Sequence, residues 1–189
     1  MPLNVLLLGP QGAGKGTQAK RISAEYGIPH IASGEILRAE MDAGTELGER
    51  VQETIERGDL VSDDLMIELI RNRLEQPDTE SGFVLDGFPR TTVQSEALDS
   101  MFGDIGRNFS VAFSLQIPDE IAFDRLRRRA REDDTDEAIQ RRLDNYHRET
   151  EPLIEYYRTR GNVVPIHANR SENEVFAEIS RALEQVPAA

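Results

Sequence analysis

Five short apolar runs punctuate the chain, and each is followed by a segment of helical spacing. Leu3-Asn4-Val5-Leu6-Leu7-Leu8 is bounded by Gly9-Pro10 and too short for a helix, so it reads as a buried strand. A glycine-rich turn follows. A helix then runs from about Lys15 to Tyr26, where Gly27 and Pro29 supply a C-terminal stop. Pro29 to Ala32 reads as a second strand. Ser33-Gly34 opens a helix to about Asp42, Gly44 breaks it, and Leu47, Val51 and Ile55 mark a short helix that stops at Gly58. Leu65, Leu69, Ile70 and Leu74 space a helix beginning near Ser62. Gly82 to Asp86 is a third strand and Thr92 to Met101 a helix. Val111 to Ile117 is a fourth strand closed by Pro118, after which Asp119 is expected to cap a helix to about Arg129. One long helix is expected from Asp136 to Arg160, bent near Pro152, then a last strand, Val163 to His167, and a last helix, Glu172 to Val186. Strict alternation predicts an α/β fold: a five-stranded parallel sheet flanked by helices, in one domain over residues 1–189.

Chemistry enters at the first turn. Gly9-Pro10-Gln11-Gly12-Ala13-Gly14-Lys15-Gly16-Thr17 lies between a strand and a helix. Its glycines let successive backbone N–H groups converge on phosphate oxygens, the helix N-terminus adds partial positive charge, and Lys15 reaches outer phosphates. Gly16 displaces the usual hydroxyl by one position, to Thr17. The third strand ends in Asp86-Gly87-Phe88-Pro89-Arg90. In an open α/β sheet, ligands bind at the carboxyl ends of strands, so Asp86 is expected to face the same crevice as the first loop. A carboxylate beside a polyphosphate requires an intervening Mg2+, and Arg90 would direct its fork at a phosphate. The alternative is that Asp86 caps the next helix and pairs with Arg90. A third cluster, Arg125, Arg127, Arg128, Arg129 and Arg131 followed by Arg141-Arg142, either concentrates positive charge for phosphates or forms a salt-bridged face with Glu132, Asp133 and Asp134. Arg125 and Arg129 stand four apart on one helical face, which separates them from Arg127 and Arg128.

The Gly-Lys-Gly-Thr form of the loop, Asp86 to Arg90 with Thr91 and Gln94, and Ser33-Gly34-Glu35-Ile36-Leu37-Arg38 together resemble the adenylate kinase family, over a span from Leu6 to about Asn169. The resemblance implies a P-loop three-layer fold and a Mg2+-dependent reversible reaction, ATP + AMP giving two ADP. By the same resemblance, ATP would lie on Gly12, Ala13, Gly14, Lys15, Gly16, Thr17, Arg125, Arg129 and Ala168. AMP would lie on Ser33, Arg38, Asp59, Leu60, Val61, Gly87, Phe88, Pro89, Arg90, Gln94, Arg131 and Arg142. Lys15, Arg90, Arg129, Arg131 and Arg142 would surround the transferred group, with Thr17 and Asp86 at Mg2+, partly through water. Asp133 and Asp134 resemble the pair that orients lid arginines. The resemblance also implies a monophosphate-binding segment at 33–61 and a lid at 128–138. The stretch between Arg129 and Asp134 is short, and with no cysteine in the chain this resembles the short-lid form, without structural zinc. His167-Ala168-Asn169 departs from the family's usual Asp-Gly-Thr. Uridylate/cytidylate kinases are similar too, but usually carry Ala at position 33 and Asn at position 91.

Composition narrows the rivals. At 189 residues the chain suits one domain. Its formal net charge of −13 repels nucleic acid and anionic membrane surfaces alike. No apolar run approaches the roughly 20 residues that span a bilayer, and Leu3 to Leu8 lacks the basic flank of a leader. The expectation is a cytoplasmic monomer. Lysine occurs only at positions 15 and 20, so the Asn/Thr-Lys-x-Asp motif by which GTPases read guanine is missing. A catalytically silent nucleotide sensor is the remaining rival from another class. His30, His147 and His167 show no catalytic pairing and read as structural or surface residues.

Overall fold

The computed structural model describes residues 2–186. The apolar runs become β1 (Leu3–Leu8), β2 (His30–Ala32), β3 (Gly82–Asp86), β4 (Val111–Gln116) and β5 (Val163–His167). They form one parallel sheet of order β2-β3-β1-β4-β5. Between them lie α1 (Lys15–Tyr26), α2 (Ser33–Asp42), α3 (Glu46–Glu56), α4 (Asp63–Leu74), α5 (Thr92–Asp104), α6 (Asp119–Arg129), α7 (Asp136–Asn145) and α8 (Leu153–Arg158), and α9 (Glu172–Leu183) follows β5.

β1 is central, and its alternate residues feed two cores. Leu6 and Leu8 join Phe83, Leu85, Leu98, Met101 and Tyr157 on one side of the sheet. Val5 and Leu7 join Ile22, Val84, Phe113, Leu115 and Ile179 on the other. A strand covered on both faces must be apolar throughout, which is why β1 lacks a polar–apolar alternation. A third cluster of Ala122, Leu126, Ile139 and Leu143 fastens α6 to α7.

Register then positions the chemistry. Leu7 pairs with Asp86 and Leu8 with Ser114, so the ends of β3 and β4 flank the turn that leaves β1. In that turn Gly12 has φ +86°, and a Cβ there would lie 2.6 Å from the Ala122 carbonyl oxygen. Only glycine allows α6 to approach so closely.

The structure corrects two expectations. Residues 136–160 are not one helix bent at Pro152. The helix opens earlier, into a π-helical turn over Tyr146–Thr150, between α7 and α8. The Glu151 N–H reaches back to the Tyr146 carbonyl at 2.8 Å, one residue farther than in an α-helix. Pro152 has no N–H to continue the ladder, so the irregularity falls in the turn before it. Thr150 in that turn donates from its hydroxyl to the Arg90 carbonyl at 2.9 Å. Asp119 is also not a cap: the helix is entered through Pro118 without a side-chain cap, and the Asp119 carboxylate instead meets His147 at 2.9 Å.

α3 and α7 meet at a glycine. Gly58 has φ +79°, and a Cβ on it would stand 2.4 Å from the Ala138 carbonyl oxygen. Its own carbonyl accepts from Asn145 Nδ2 at 3.1 Å. Gly58→Ala is therefore expected to lower stability by about 2 kcal/mol or more, through left-handed backbone strain and the α7 clash together. A thermal melt within a degree of the parent protein would contradict this account of the α3–α7 approach.

Candidate active site

One cleft of about 430 Å3 runs across the carboxyl ends of β1 and β3. Eight cationic side chains line it, from Lys15, Lys20, Arg38, Arg90, Arg125, Arg129, Arg131 and Arg142, against the carboxylates of Glu35, Asp59, Asp86 and Asp133. In a chain of net charge −13 this is a strong local inversion of sign.

The loop after β1 forms one wall. Lys15 folds back on its own loop, donating from Nζ to the carbonyls of Gly9 at 2.7 Å and Pro10 at 2.9 Å. Burial pulls its pKa down to about 8, the nearby Asp86 carboxylate opposes that shift, and Arg90 and Arg129 add to it. Gly14 enters α1 in the left-handed conformation with no side-chain cap, which leaves the helix N-terminus open to the cleft.

The end of β3 forms the facing wall. Burial opposes ionisation of Asp86, but the adjacent His30 imidazole and the Lys15 and Arg90 charges outweigh it and hold the carboxyl below its ordinary range. His30 Nε2 stands 3.7 Å from Asp86 Oδ2, beyond hydrogen-bond reach. Pairing of β2 with β3 sets His30 opposite Val84 and Ala32 opposite Asp86, so the imidazole lies diagonally beside the carboxylate from a mostly buried, structural position. Arg90 donates from Nε to the Gly87 carbonyl at 2.8 Å, and burial lowers its pKa. Asp86 is not a helix cap: α5 is capped by Thr91, whose hydroxyl accepts from the Gln94 N–H at 3.2 Å.

The arginine run divides as its spacing predicts. Arg125 and Arg129 line the cleft, whereas Arg127 is exposed and pairs with Asp136, and Arg128 is exposed. Arg125 bridges the first loop and the chain after β5, donating to the Ala168 carbonyl at 3.2 Å and the Gly12 carbonyl at 3.4 Å. Arg129 grips Asp134 with two bonds, at 2.9 and 2.7 Å. Arg142 reaches Asp134 at 2.7 Å, Asp133 at 2.5 Å and the Ile55 carbonyl at 3.0 Å. The Asp134 side chain is buried; burial would raise its pKa, but Arg129, the Arg131 N–H and Arg142 hold it low. Arg38 is deprotonated more easily than usual, first through burial and then through Arg131.

Most of the residues expected to bind nucleotide meet here. Gly12, Gly14, Gly16, Thr17, Ser33, Asp59, Leu60, Val61, Gly87, Pro89 and Gln94 line the cleft with the cations above. Ala13, Phe88 and Ala168 do not: each side chain is buried in or against the core, so these positions can offer a ligand only backbone groups. The Phe88–Pro89 peptide is cis.

A divalent cation fits one part of the cleft. Asp86 is held ionised, a Cβ added at Gly16 would lie 3.5 Å from its Oδ2, and Thr17 lines the same space. One carboxylate and one hydroxyl form an all-oxygen donor set too sparse to cage a metal alone. Among the described residues, no cluster of three or more His, Cys, Asp or Glu side chains could do so. Such a set suits a hard ion that arrives with phosphate ligands.

A parallel sheet with a glycine-rich loop at its central strand, opening onto a cationic cleft, is a P-loop fold. The family model described as Adenylate kinase matches residues 7–162. The chain is 38% identical, over 97% of its length and 99% of the relative's, to a protein named Adenylate kinase from Methanosarcina barkeri. Similar proteins of that name from Xanthomonas euvesicatoria and a Cyanothece species are 42% and 43% identical, each over 96% of this chain and over 99% and 95% of their own lengths. The chain belongs to the adenylate kinase family. The Methanosarcina alignment extends over 213 positions, more than this chain has, whereas the Xanthomonas alignment needs only 185.

Lys15 yields a pH prediction. A charged Lys15 costs the empty protein stability below pH 8, and the cost is relieved as pH rises from about 8 toward 10.5. A polyphosphate beside it reverses the shift and restores the proton. At pH 9, ATP binding should therefore take up about one proton, and at pH 7 much less. Calorimetry in buffers of differing ionisation enthalpy measures this; zero uptake at pH 9 would contradict the buried, phosphate-facing ammonium.

Proposed function

We propose that the chain moves the terminal phosphoryl group of ATP to AMP, reversibly giving two ADP, with Mg2+ accompanying ATP. The observation that supports this reading is a single cleft shared by the Lys15 loop on one wall and by Arg90, Arg38 and Gln94 on the other. Two phosphorylated ligands entering from opposite ends would meet between Lys15 and Arg90.

In this reading the N–H groups of residues 12–17 and the α1 N-terminus cradle the ATP phosphates, and Lys15 turns from its loop carbonyls to the outer phosphates. Arg125 lies against the ATP base beside the Ala168 carbonyl. Ser33, Arg38, Asp59, Leu60, Val61 and Gly87 receive AMP, while Arg90 holds its phosphate. Arg129, Arg131 and Arg142 spread positive charge around the transferred group as charge develops on its equatorial oxygens. Thr17 and Asp86 would hold Mg2+, partly through water, and the ion would supply neutralisation of phosphate charge. The chain's own contribution is alignment, charge neutralisation and exclusion of water; no covalent intermediate on the protein is required.

Residues 33–61 and 128–138 serve as the moving parts. Each contacts α7: the Ile55 and Gly58 carbonyls accept from Arg142 and Asn145, while Asp133 and Asp134 hold Arg142. Their closure would dry the cleft, and their reopening would release product. The enzyme acts as a cytoplasmic monomer that equilibrates adenine nucleotides.

Arg90→Ala should lower kcat by about a hundredfold or more while leaving the fold intact, because it removes a buried, preorganised positive charge that would hold phosphate charge during transfer. An ADP-formation assay with AMP, UMP and CMP tests this variant and the substrate together. Near-parent turnover in folded Arg90→Ala, or faster phosphorylation of UMP or CMP than of AMP, would overturn the assignment.

A further inference from the structure

Gln94 is 2% exposed, so its amide must find partners inside the protein. Its Oε1 accepts from the Arg90 N–H at 2.8 Å. Its Nε2 donates to Asp63 Oδ1 at 2.8 Å. The same Asp63 oxygen accepts from the Thr91 hydroxyl, also at 2.8 Å, while that hydroxyl accepts from the Gln94 N–H at 3.2 Å. Asp63 opens α4 and lies behind Gln94, lining a separate recess with Asp59, Ser62, Thr91 and Arg148.

Amide orientation is usually ambiguous, but here the partners decide it. A carboxylate only accepts and a backbone N–H only donates. Reversing the amide would set Gln94 Oε1 against the Asp63 carboxylate and its NH2 against the Arg90 N–H. Both contacts would be repulsive and buried. Once locked, Gln94 retains one N–H and one lone pair for a ligand in the cleft it also lines.

That polarity matters to a purine. Along one edge a 6-aminopurine offers a donor at N6 and an acceptor at N1. A 6-oxopurine offers the reverse, an acceptor at O6 and a donor at N1. The first matches Gln94 as held, with Oε1 toward N6 and Nε2 toward N1; the second requires the reversed amide. We propose that Asp63 is a specificity-determining positioning residue: by fixing the Gln94 amide together with the Arg90 N–H, it makes the monophosphate site select 6-amino over 6-oxo purines without touching the ligand. This rests on the AMP reading above and deepens it.

AMP and IMP differ only along that edge, so they are the probes. Steady-state kinetics at saturating ATP should show a strong preference for AMP in the parent protein. Asp63→Ala admits water, which can donate or accept, and should reduce the AMP:IMP ratio of kcat/KM about tenfold or more, with KM for ATP unchanged. Asp63→Asn retains one acceptor and should recover part of that ratio. Asp63→Ser, too short to reach Gln94, gives the same readout should Asp63→Ala not fold. Equilibrium binding of AMP and IMP to the same variants reports the ratio independently of turnover. An unchanged ratio in a folded variant would overturn the inference and leave the proposed function standing. So would an equal loss for both monophosphates and ATP, which marks a merely structural role. A parent protein inactive with AMP would remove the proposed function itself, and this inference with it.

Discussion

A cleft that must hold two polyanions has to keep its cations together before either arrives. Burial weakens the hold of Lys15, Arg38 and Arg90 on their protons, because each stands in a partly dehydrated space among like charges. The protein answers with oxygen atoms of its own, from backbone carbonyls and carboxylates. Backbone carbonyls of Gly9, Pro10 and Gly87 hold Lys15 and Arg90, and Asp133 and Asp134 hold Arg129 and Arg142. These partners keep the cations gathered around one cleft.

The fold serves that constraint. Burying β1 on both faces sets the glycine loop at the middle of the sheet, and parallel pairing brings Asp86 level with Leu7 and Ala32 at the same end. α6 carries Arg125 and Arg129 on one face while its apolar face packs on α7, and α7 delivers Arg142. The π-helical turn after α7 lets Thr150 hold the Arg90 carbonyl, whose N–H in turn binds Gln94. Thr150, Arg90 and Gln94 are thereby joined through one short segment of main chain.

Much of this was legible in the residues. Unbroken apolar runs closed by Gly or Pro located all five strands to within a residue or so, because fully buried parallel strands carry no competing signal. Glycine spacing located the loop, and i, i+4 spacing separated Arg125 and Arg129 from Arg127. What escaped depended on contacts between distant segments. The opening at Tyr146–Thr150 follows from Pro152 and is invisible to helical periodicity. The His30–Asp86 approach exists only through β2–β3 register. Phe88 sits in a motif whose neighbours face the cleft, yet its own side chain points into the core. Asp63 reads as an ordinary acidic residue in the first turn of a helix; only the folded chain brings it to Gln94.

The central claim is that two nucleotides share this one cleft, phosphate to phosphate. A bisubstrate mimic, two adenosines joined through five phosphates, tests it directly. A crystal structure with the mimic should show one molecule per chain, its phosphates running from Lys15 to Arg90 and an adenine at each end. Two molecules per chain, or one whose phosphates miss either Lys15 or Arg90, would contradict the account.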